Sequence, residues 1–379
     1  MNLRTNLLML LGAFTCLELA AQTAEAALLI SNSESDNILI FDETTGAIAG
    51  NFTTPGLGGL RSPDDLTFGP DDNLYVSVGG SNSLSLLDPN YPLDSAVLRF
   101  SPLGEFLGVA ASGNGLTRPY GNAFGPDGNL YVASFRTNQI LRFDGKTGAF
   151  LDVFASDNNG GLGTLNGLNG PNGLLFAPDG SLYVTTEGTV NQPDGTLGFT
   201  FKSQVLRYSS EQVAGLVPTT TPTVLIDQPA LLPESPGFIS LLGLVLAPDK
   251  QSLYVSDFAG GIRRYDLAGT LLEVLSTNYT GTTPSSNFIG SLTFGSGATS
   301  NNLYVAGFEF LNENLGSILT FDGAVGSPTA FTGGLFTDAR LSRPIGITAI
   351  PTEAVPEPTM IPGIVLALAG LAATRSRRR

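Results

Sequence analysis

Along most of this chain, short apolar runs alternate with breaks rich in Gly, Pro and Asp, and the runs recur in a fixed order. Gly125-Pro126-Asp127-Gly128-Asn129-Leu130-Tyr131-Val132 returns as Ala177-Pro178-Asp179-Gly180-Ser181-Leu182-Tyr183-Val184, with variants at 69–76, 247–255 and 295–305. An apolar strand precedes each turn, as in Leu174-Leu175-Phe176, and Asp-Gly between two strands predicts a type I′ hairpin with φ > 0 at both central residues. A third strand follows, seen in Val97-Leu98-Arg99-Phe100, Ile140-Leu141-Arg142-Phe143 and Val205-Leu206-Arg207-Tyr208. A fourth follows a Gly turn, as in Phe150-Leu151-Asp152-Val153-Phe154. Four strands per unit of roughly 50 residues is the signature of a β-propeller blade.

The ends of the pattern set the number of blades. Leu28-Leu29-Ile30-Ser31 and Ile38-Leu39-Ile40-Phe41 match second and third strands that lack a first. Pro344-Ile345-Gly346-Ile347-Thr348-Ala349-Ile350-Pro351 matches the first-strand segment Pro171-Asn172-Gly173-Leu174-Leu175-Phe176-Ala177-Pro178 and has no Leu-Tyr-Val after it. The C-terminal strand is therefore expected to complete the N-terminal blade, closing an all-β ring of six blades over residues 27–351 and removing open sheet edges. Over residues 28–351 the chain resembles NHL-repeat and gluconolactonase-like six-bladed propellers.

Both ends read as addresses. Residues 1–26 carry Arg4, an apolar run from Leu7 to Phe14 and the small-residue site Ala24-Glu25-Ala26, which predicts a secretory signal handled by the Sec translocon and a mature start at Ala27. Residues 352–379 place Val355-Pro356-Glu357-Pro358 before an apolar stretch from Met360 to Ala373, with Arg375, Arg377, Arg378 and Arg379 last. A Pro-rich break, a membrane-seeking helix and a cluster kept cytoplasmic by its positive charge form a tripartite order. That order resembles the PEP-CTERM sorting signal of Gram-negative bacteria and cyanobacteria. The resemblance implies an inner-membrane-anchored precursor with a transient membrane association. It also implies cleavage near the motif by an exosortase, a membrane cysteine protease, and delivery to the outer surface or extracellular matrix. A hydrophobic helix is expected at each terminus.

Composition narrows the chemistry. Hydrophobic residues make up 42%, charged residues only 13%, and the chain holds 47 Gly and 24 Pro, which suits short strands and many turns. There is no His and no Trp, and the one Cys, Cys16, lies in the leader. A mature chain therefore has no disulfide, no Cys/His zinc site and no Ser-His-Asp or Cys-His nucleophile. The formal charge of −15 repels nucleic acid and anionic lipid, so no nucleic-acid partner is expected.

Candidate sites gather where the innermost strands begin and loops converge on the central channel. The resemblance to gluconolactonase-like enzymes implies a divalent cation on the channel axis, with Asn or Asp ligands just before the Gly of each inner strand. The matching positions here are Asp64, Tyr120, Asn172, Leu242, Gly290 and Ile345, of which only Asp64 and Asn172 are metal ligands by type. A site for Ca2+ or another divalent cation then needs Asp257 or Glu187 to reach inward. Arg118 and Arg343 precede the Pro of two inner strands, and Arg61 sits near a third. Arginines from several blades can hold the carboxylate or sulfate of an acidic exopolysaccharide, with Tyr120 beside them to stack on a sugar; pairing with Asp64 or Asp338 is the structural alternative. The recurrent Asp127, Asp179, Arg99, Arg142, Arg207 and Arg264 read as turn and strand structure, and Asp157-Asn158-Asn159-Gly160 as an ordinary turn. The long insertions 187–202 and 209–239 of the fourth unit are where partner choice is expected. The sequence thus favours a surface or matrix binding propeller over a metal-dependent lactonase.

Overall fold

The computed structural model describes residues 26–43, 45–79, 95–156, 163–191, 196–219, 222–322 and 335–351. The leader, the expected terminal helices, the Asp157–Gly160 turn and the sorting motif with Val355, Pro356, Glu357, Pro358, Arg375, Arg377, Arg378 and Arg379 lie outside the described residues. Among the described residues no helix is long and apolar enough to cross a membrane.

Six four-stranded antiparallel sheets form the ring. The first blade begins with β1 (Ala27–Asn32), β2 (Asn37–Asp42) and β3 (Ala47–Asn51). The second is β4 (Leu66–Phe68), β5 (Leu74–Val78), β6 (Ala96–Phe100) and β7 (Phe106–Ser112). The third is β8 (Pro119–Phe124), β9 (Leu130–Ser134), β10 (Gln139–Phe143) and β11 (Phe150–Ala155). The fourth is β12 (Pro171–Phe176), β13 (Leu182–Thr186), β16 (Val205–Tyr208) and β17 (Thr223–Ile226), with a side hairpin of β14 (Thr189–Asn191) and β15 (Leu197–Phe199). The fifth is β18 (Leu241–Leu246), β19 (Ser252–Asp257), β20 (Ile262–Asp266) and β21 (Leu271–Leu275). The sixth is β22 (Asn287–Phe294), β23 (Leu303–Glu309), β24 (Leu315–Phe321) and β25 (Leu335–Ser342). The last strand, β26 (Pro344–Ala349), crosses to the first blade and pairs with β1, Leu28 opposite Ala349 and Ile30 opposite Ile347. The blade count and the shared first blade agree with the repeat.

The hairpin turns differ from the type I′ expectation. In Gly125-Pro126-Asp127-Gly128 only Gly128 has positive φ (76°), and its N–H donates to the Gly125 carbonyl at 2.9 Å. Pro126 and Asp127 therefore hold the two central positions of a type I turn, where Pro is favoured, and Gly128 supplies the left-handed residue of a bulge. The left-handed position is held by Asp72, Gly180 and Lys250 in other blades. The Asp127 side chain accepts from the Asn129 N–H at 3.2 Å and from the Tyr131 hydroxyl at 3.1 Å, and Arg142 reaches it at 3.4 Å. Asp71 repeats the first two bonds with Asn73 and Tyr75, and Asp179 pairs with Arg207 at 2.9 Å. The recurrent Asp and Arg residues are thus blade clasps.

The core lies between blades. Tyr131 meets Phe176 edge-on at 5.0 Å and Tyr75 meets Phe124 at 4.7 Å, so the Tyr of each Leu-Tyr-Val fills the seam to the next blade. Toward the axis the inner strands approach so closely that Gly is required. A Cβ at Gly121 falls 2.2 Å from the Asn172 carbonyl oxygen, and one at Gly346 falls 2.0 Å from that of Asp64. Hydroxyls following Leu-Tyr-Val tie these bulges. Ser256 Oγ accepts from Gly243 N–H at 2.9 Å and donates to Gly290 O at 2.7 Å, Thr185 does the same with Gly173 and Leu242, and Ser31 accepts from Gly346.

Candidate functional site

Two repeat positions build one end of the channel. Pairing of Leu66 with Val76, Asn122 with Val132, Leu174 with Val184, Leu244 with Val255 and Leu292 with Val305 makes Asp64, Tyr120, Asn172, Leu242 and Gly290 equivalent, and Ile345 completes the ring. Close to it, five residues after the Leu of Leu-Tyr-Val, stand Phe135, Phe258 and Phe308 in three blades, with Glu187 in the fourth blade and Gly79 in the second. An acid thus replaces Phe in one blade. Apart from Asn172 and the glycines, these residues line a cavity of about 380 Å³, within the ordinary range for small-ligand sites.

Arg118 and Arg343 sit at the cavity floor in left-handed backbone, with φ of 53° and 50°. The corresponding residues are Gly170 of the fourth blade at 67°, which bears this conformation without strain, and Ser62 of the second at 41°. A non-Gly residue there costs on the order of 1 kcal/mol. The turns are held by bonds from neighbouring segments: Arg118 N–H donates to Ser95 Oγ at 3.0 Å and Arg343 N–H to the Asn314 carbonyl at 2.9 Å. The Arg118 guanidinium lies 4.9 Å from the Tyr120 ring and 5.0 Å from the Phe135 ring, and Arg343 lies 5.8 Å from that of Phe308. Tyr120 is buried, packing against Arg118 and Phe135 (centroids 4.8 Å apart).

Acids gather at this floor and just beneath it. Burial, reinforced by neighbouring Asp65 and only partly offset by Arg118 and Arg343, pushes Asp64 up to about 8 from the ordinary 3.8. Asp65 occupies the position that is Gly in four other blades; burial raises it to about 6, against the Asn122 N–H that it accepts at 2.9 Å. Burial also raises Glu187, against a 2.8 Å bond from the Asn172 amide. A carboxylate whose folded pKa exceeds its unfolded value keeps its proton in the folded state, so stability falls as pH climbs from about 4 to 8. Asp64→Asn is therefore expected to stabilise the protein by roughly 2 kcal/mol or more at pH 8 to 9 and by little near pH 4. Thermal melts of both proteins across pH check this; a gain of equal size at both ends would refute it.

The walls are aromatic. Phe258 stacks on Phe288 at 4.6 Å with 21° between planes, and Phe288 also meets Phe308 at 5.8 Å, Phe310 at 5.3 Å and Phe238 at 6.3 Å. The β14–β15 hairpin contributes Leu197 and Phe199 to the rim. Phe199 and Phe310 are 70% and 56% exposed, large values for apolar rings. Both insertions of the fourth unit thus reach the site, the first through this hairpin and the second through Phe238.

Sequence-derived candidates divide here. Asp64, Arg118, Tyr120 and Arg343 come together in the cavity, and Asn172 lies at its waist beside Asp64. Arg61 is exposed and outside the lining. Asp257 does not reach inward: its carboxylate binds Arg263 at 2.8 Å, both residues being 1% exposed, and accepts the N–H groups of Ser240 and Ala259. Asp338 pairs with Arg340 rather than with either cavity arginine. Among the described residues no three His, Cys, Asp or Glu side chains are grouped to hold a metal. Asp65 and the phenylalanine cluster were not singled out from sequence.

No family model matches the chain, and no curated protein matches it. Among solved structures it is similar to a chain of the nidogen/laminin complex, with a TM-score of 0.55 at 16% identity over 86% of this chain and 99% of that one. A protein of unknown function from Bacteroides caccae gives 0.52 at 13% identity, over 86% and 99%. A putative 6-phosphogluconolactonase from Bacteroides fragilis NCTC 9343 gives 0.50 at 13%, over 87% and 99%. At these identities the likeness is one of fold.

Proposed function

We propose that this chain is an exported binding propeller. Its leader is removed after Sec translocation and its tail by an exosortase, and it serves at the outer surface or in the extracellular matrix with its ligand in the channel mouth. The observation that carries the binding reading is the pair Arg118 and Arg343, held at the floor of one cavity in backbone that Gly170 adopts without strain. Ser62 shares this backbone outside the cavity, so what distinguishes the pair is the convergence of two guanidinium groups on one cavity. Arginine suits an anionic partner, whether the acid group of an exopolysaccharide or a surface protein. With purified exported protein, an anionic ligand at a hundredfold excess over its Kd is expected to add about 2.7 kcal/mol to stability. That gain is expected to vanish in Arg343→Gln. Anion titrations that leave the melting temperature unmoved would sink this reading, and pulse-chase labelling in which the full tail persists on the mature protein would sink the sorting step.

A divalent-metal lactonase is the second reading, favoured by the Asn172–Glu187 bond beside Asp64. The fit is poor, since two carboxylates and an amide fall short of the six to eight oxygens calcium takes, and two guanidinium groups share the floor. Calcium is accordingly expected to leave the melting temperature unchanged. Calcium-dependent lactone turnover lost in Glu187→Gln would favour the enzyme instead.

A further inference from the structure

We infer that the ligand of the channel mouth is an amphipathic monocarboxylate, an acyl or aryl acid whose carboxylate meets Arg118 and Arg343 while its apolar body lies on the phenylalanine wall. This rests on the binding reading above and gives it a chemical class. The cavity has a polar floor and apolar sides. Arg118, Arg343, Asp64 and Glu187 are at the bottom, while Phe258, Phe288 and Phe308, with Phe199 and Phe310 at the rim, form the sides. A saccharide would stack one C–H face on a single ring, but hydroxyl groups turned toward the other phenylalanines would find no hydrogen bond, and each unpaired polar group costs free energy. An acyl or aryl body buries apolar surface instead, both its own and that of the exposed rim rings.

The head group follows from the charges that the described residues bring to the floor. Arg118 precedes β8 and Arg343 precedes β26; Asp64 and Asp65 precede β4, and Glu187 follows β13. With Asp64 protonated at neutral pH, two guanidinium groups and one carboxylate, Glu187, remain among the described charges of the cavity lining, while Asp65 faces the opposite opening of the channel. An anion is then favoured over a neutral or cationic head on the same chain. Above about pH 8 Asp64 ionises and adds a negative charge beside the arginines, so affinity for an anion falls.

The test is calorimetric titration of the purified exported protein with three ligands sharing one ten-carbon tail: decanoate, decanol and decyltrimethylammonium, with a uronate disaccharide as the fourth. Decanoate is expected to bind roughly tenfold or more tighter than decanol, and decyltrimethylammonium more weakly still. Decanoate affinity is expected to fall on raising the pH from 7 to 9, roughly tenfold in Phe310→Ser or Phe199→Ser, and its margin over decanol to shrink in Arg343→Gln. The rim rings are exposed, so both Ser variants should melt like the parent, and the ligand ranking needs no variant at all. Binding of the disaccharide without decanoate would overturn the inference and leave the binding reading standing. A preference for the cationic head would overturn the head-group assignment. Binding of none of the four would overturn the inference, while the binding reading would still face its own anion titrations.

Discussion

Removing residues 344–351 is expected to abolish cooperative thermal unfolding and to yield a protein that aggregates on purification. This segment is β26, the inner strand of the first blade, and it buries Ile345 and Ile347. Without it Leu28 and Ile30, fully buried in the ring, line a bare edge, and an unpaired apolar edge is a template for pairing with other chains. The seam with the second blade opens too, because Gly346 packs directly on the Asp64 carbonyl. A milder version is Gly346→Ala, whose new Cβ would stand 2.0 Å from that oxygen, a backbone atom unable to swing aside. Overpacking of this kind costs roughly 1–3 kcal/mol, and an unyielding backbone neighbour puts it at the upper end. Calorimetry of both variants checks the point. A truncated chain that still melts in one sharp transition near the parent temperature would mean that the ring does not depend on its closing strand.

Arg263→Met is expected to cost about 3–5 kcal/mol, the usual consequence of stripping one partner from a fully buried ion pair. Asp257 would be left desolvated, and burial already holds it above the ordinary carboxylate range despite Arg263 and two backbone N–H donors. Arg263 also donates to the Ala230 carbonyl at 3.0 Å, so the loop leading to Phe238 would lose an anchor. The double variant Asp257→Asn with Arg263→Met should recover much of the loss, since no charge is then stranded. Denaturant melts of the two singles and the double give the coupling. Independent, additive losses would contradict this pairing and reopen a different role for Asp257.

The ring was legible in sequence because its period is carried by many residues at once. Leu-Tyr-Val, the turn Asp and the third-strand Arg each recur, so a substitution in one blade does not hide the pattern. The turn type was misjudged because Asp-Gly is shared by two hairpin geometries, and the Pro before it decides for the type I turn with a left-handed bulge residue. In the site, Asp64, Arg118, Tyr120 and Arg343 were legible since each stands at a repeat position facing the axis. Asp257 misled because its partner, six residues on, lies on the next strand and neutralises it. The phenylalanines were overlooked although Phe135, Phe258 and Phe308 share one offset from Leu-Tyr-Val. Aligning the blades on that offset, and not only on the turns, would have exposed both the three phenylalanines and the Gly79 and Glu187 that stand in their place elsewhere. Phe238, Phe288 and Phe310 join through loop packing, which no offset encodes.

The shared first blade also fixes an orientation. Ile345 borders the aromatic mouth, whereas Thr348, three residues later, borders the opposite opening, so β26 carries the chain from one pole to the other. There the Ile350 N–H donates to the Ala27 carbonyl at 2.9 Å, and both stumps of the folded domain leave together. Any attachment made through either end would therefore grip the ring on the face opposite the aromatic mouth.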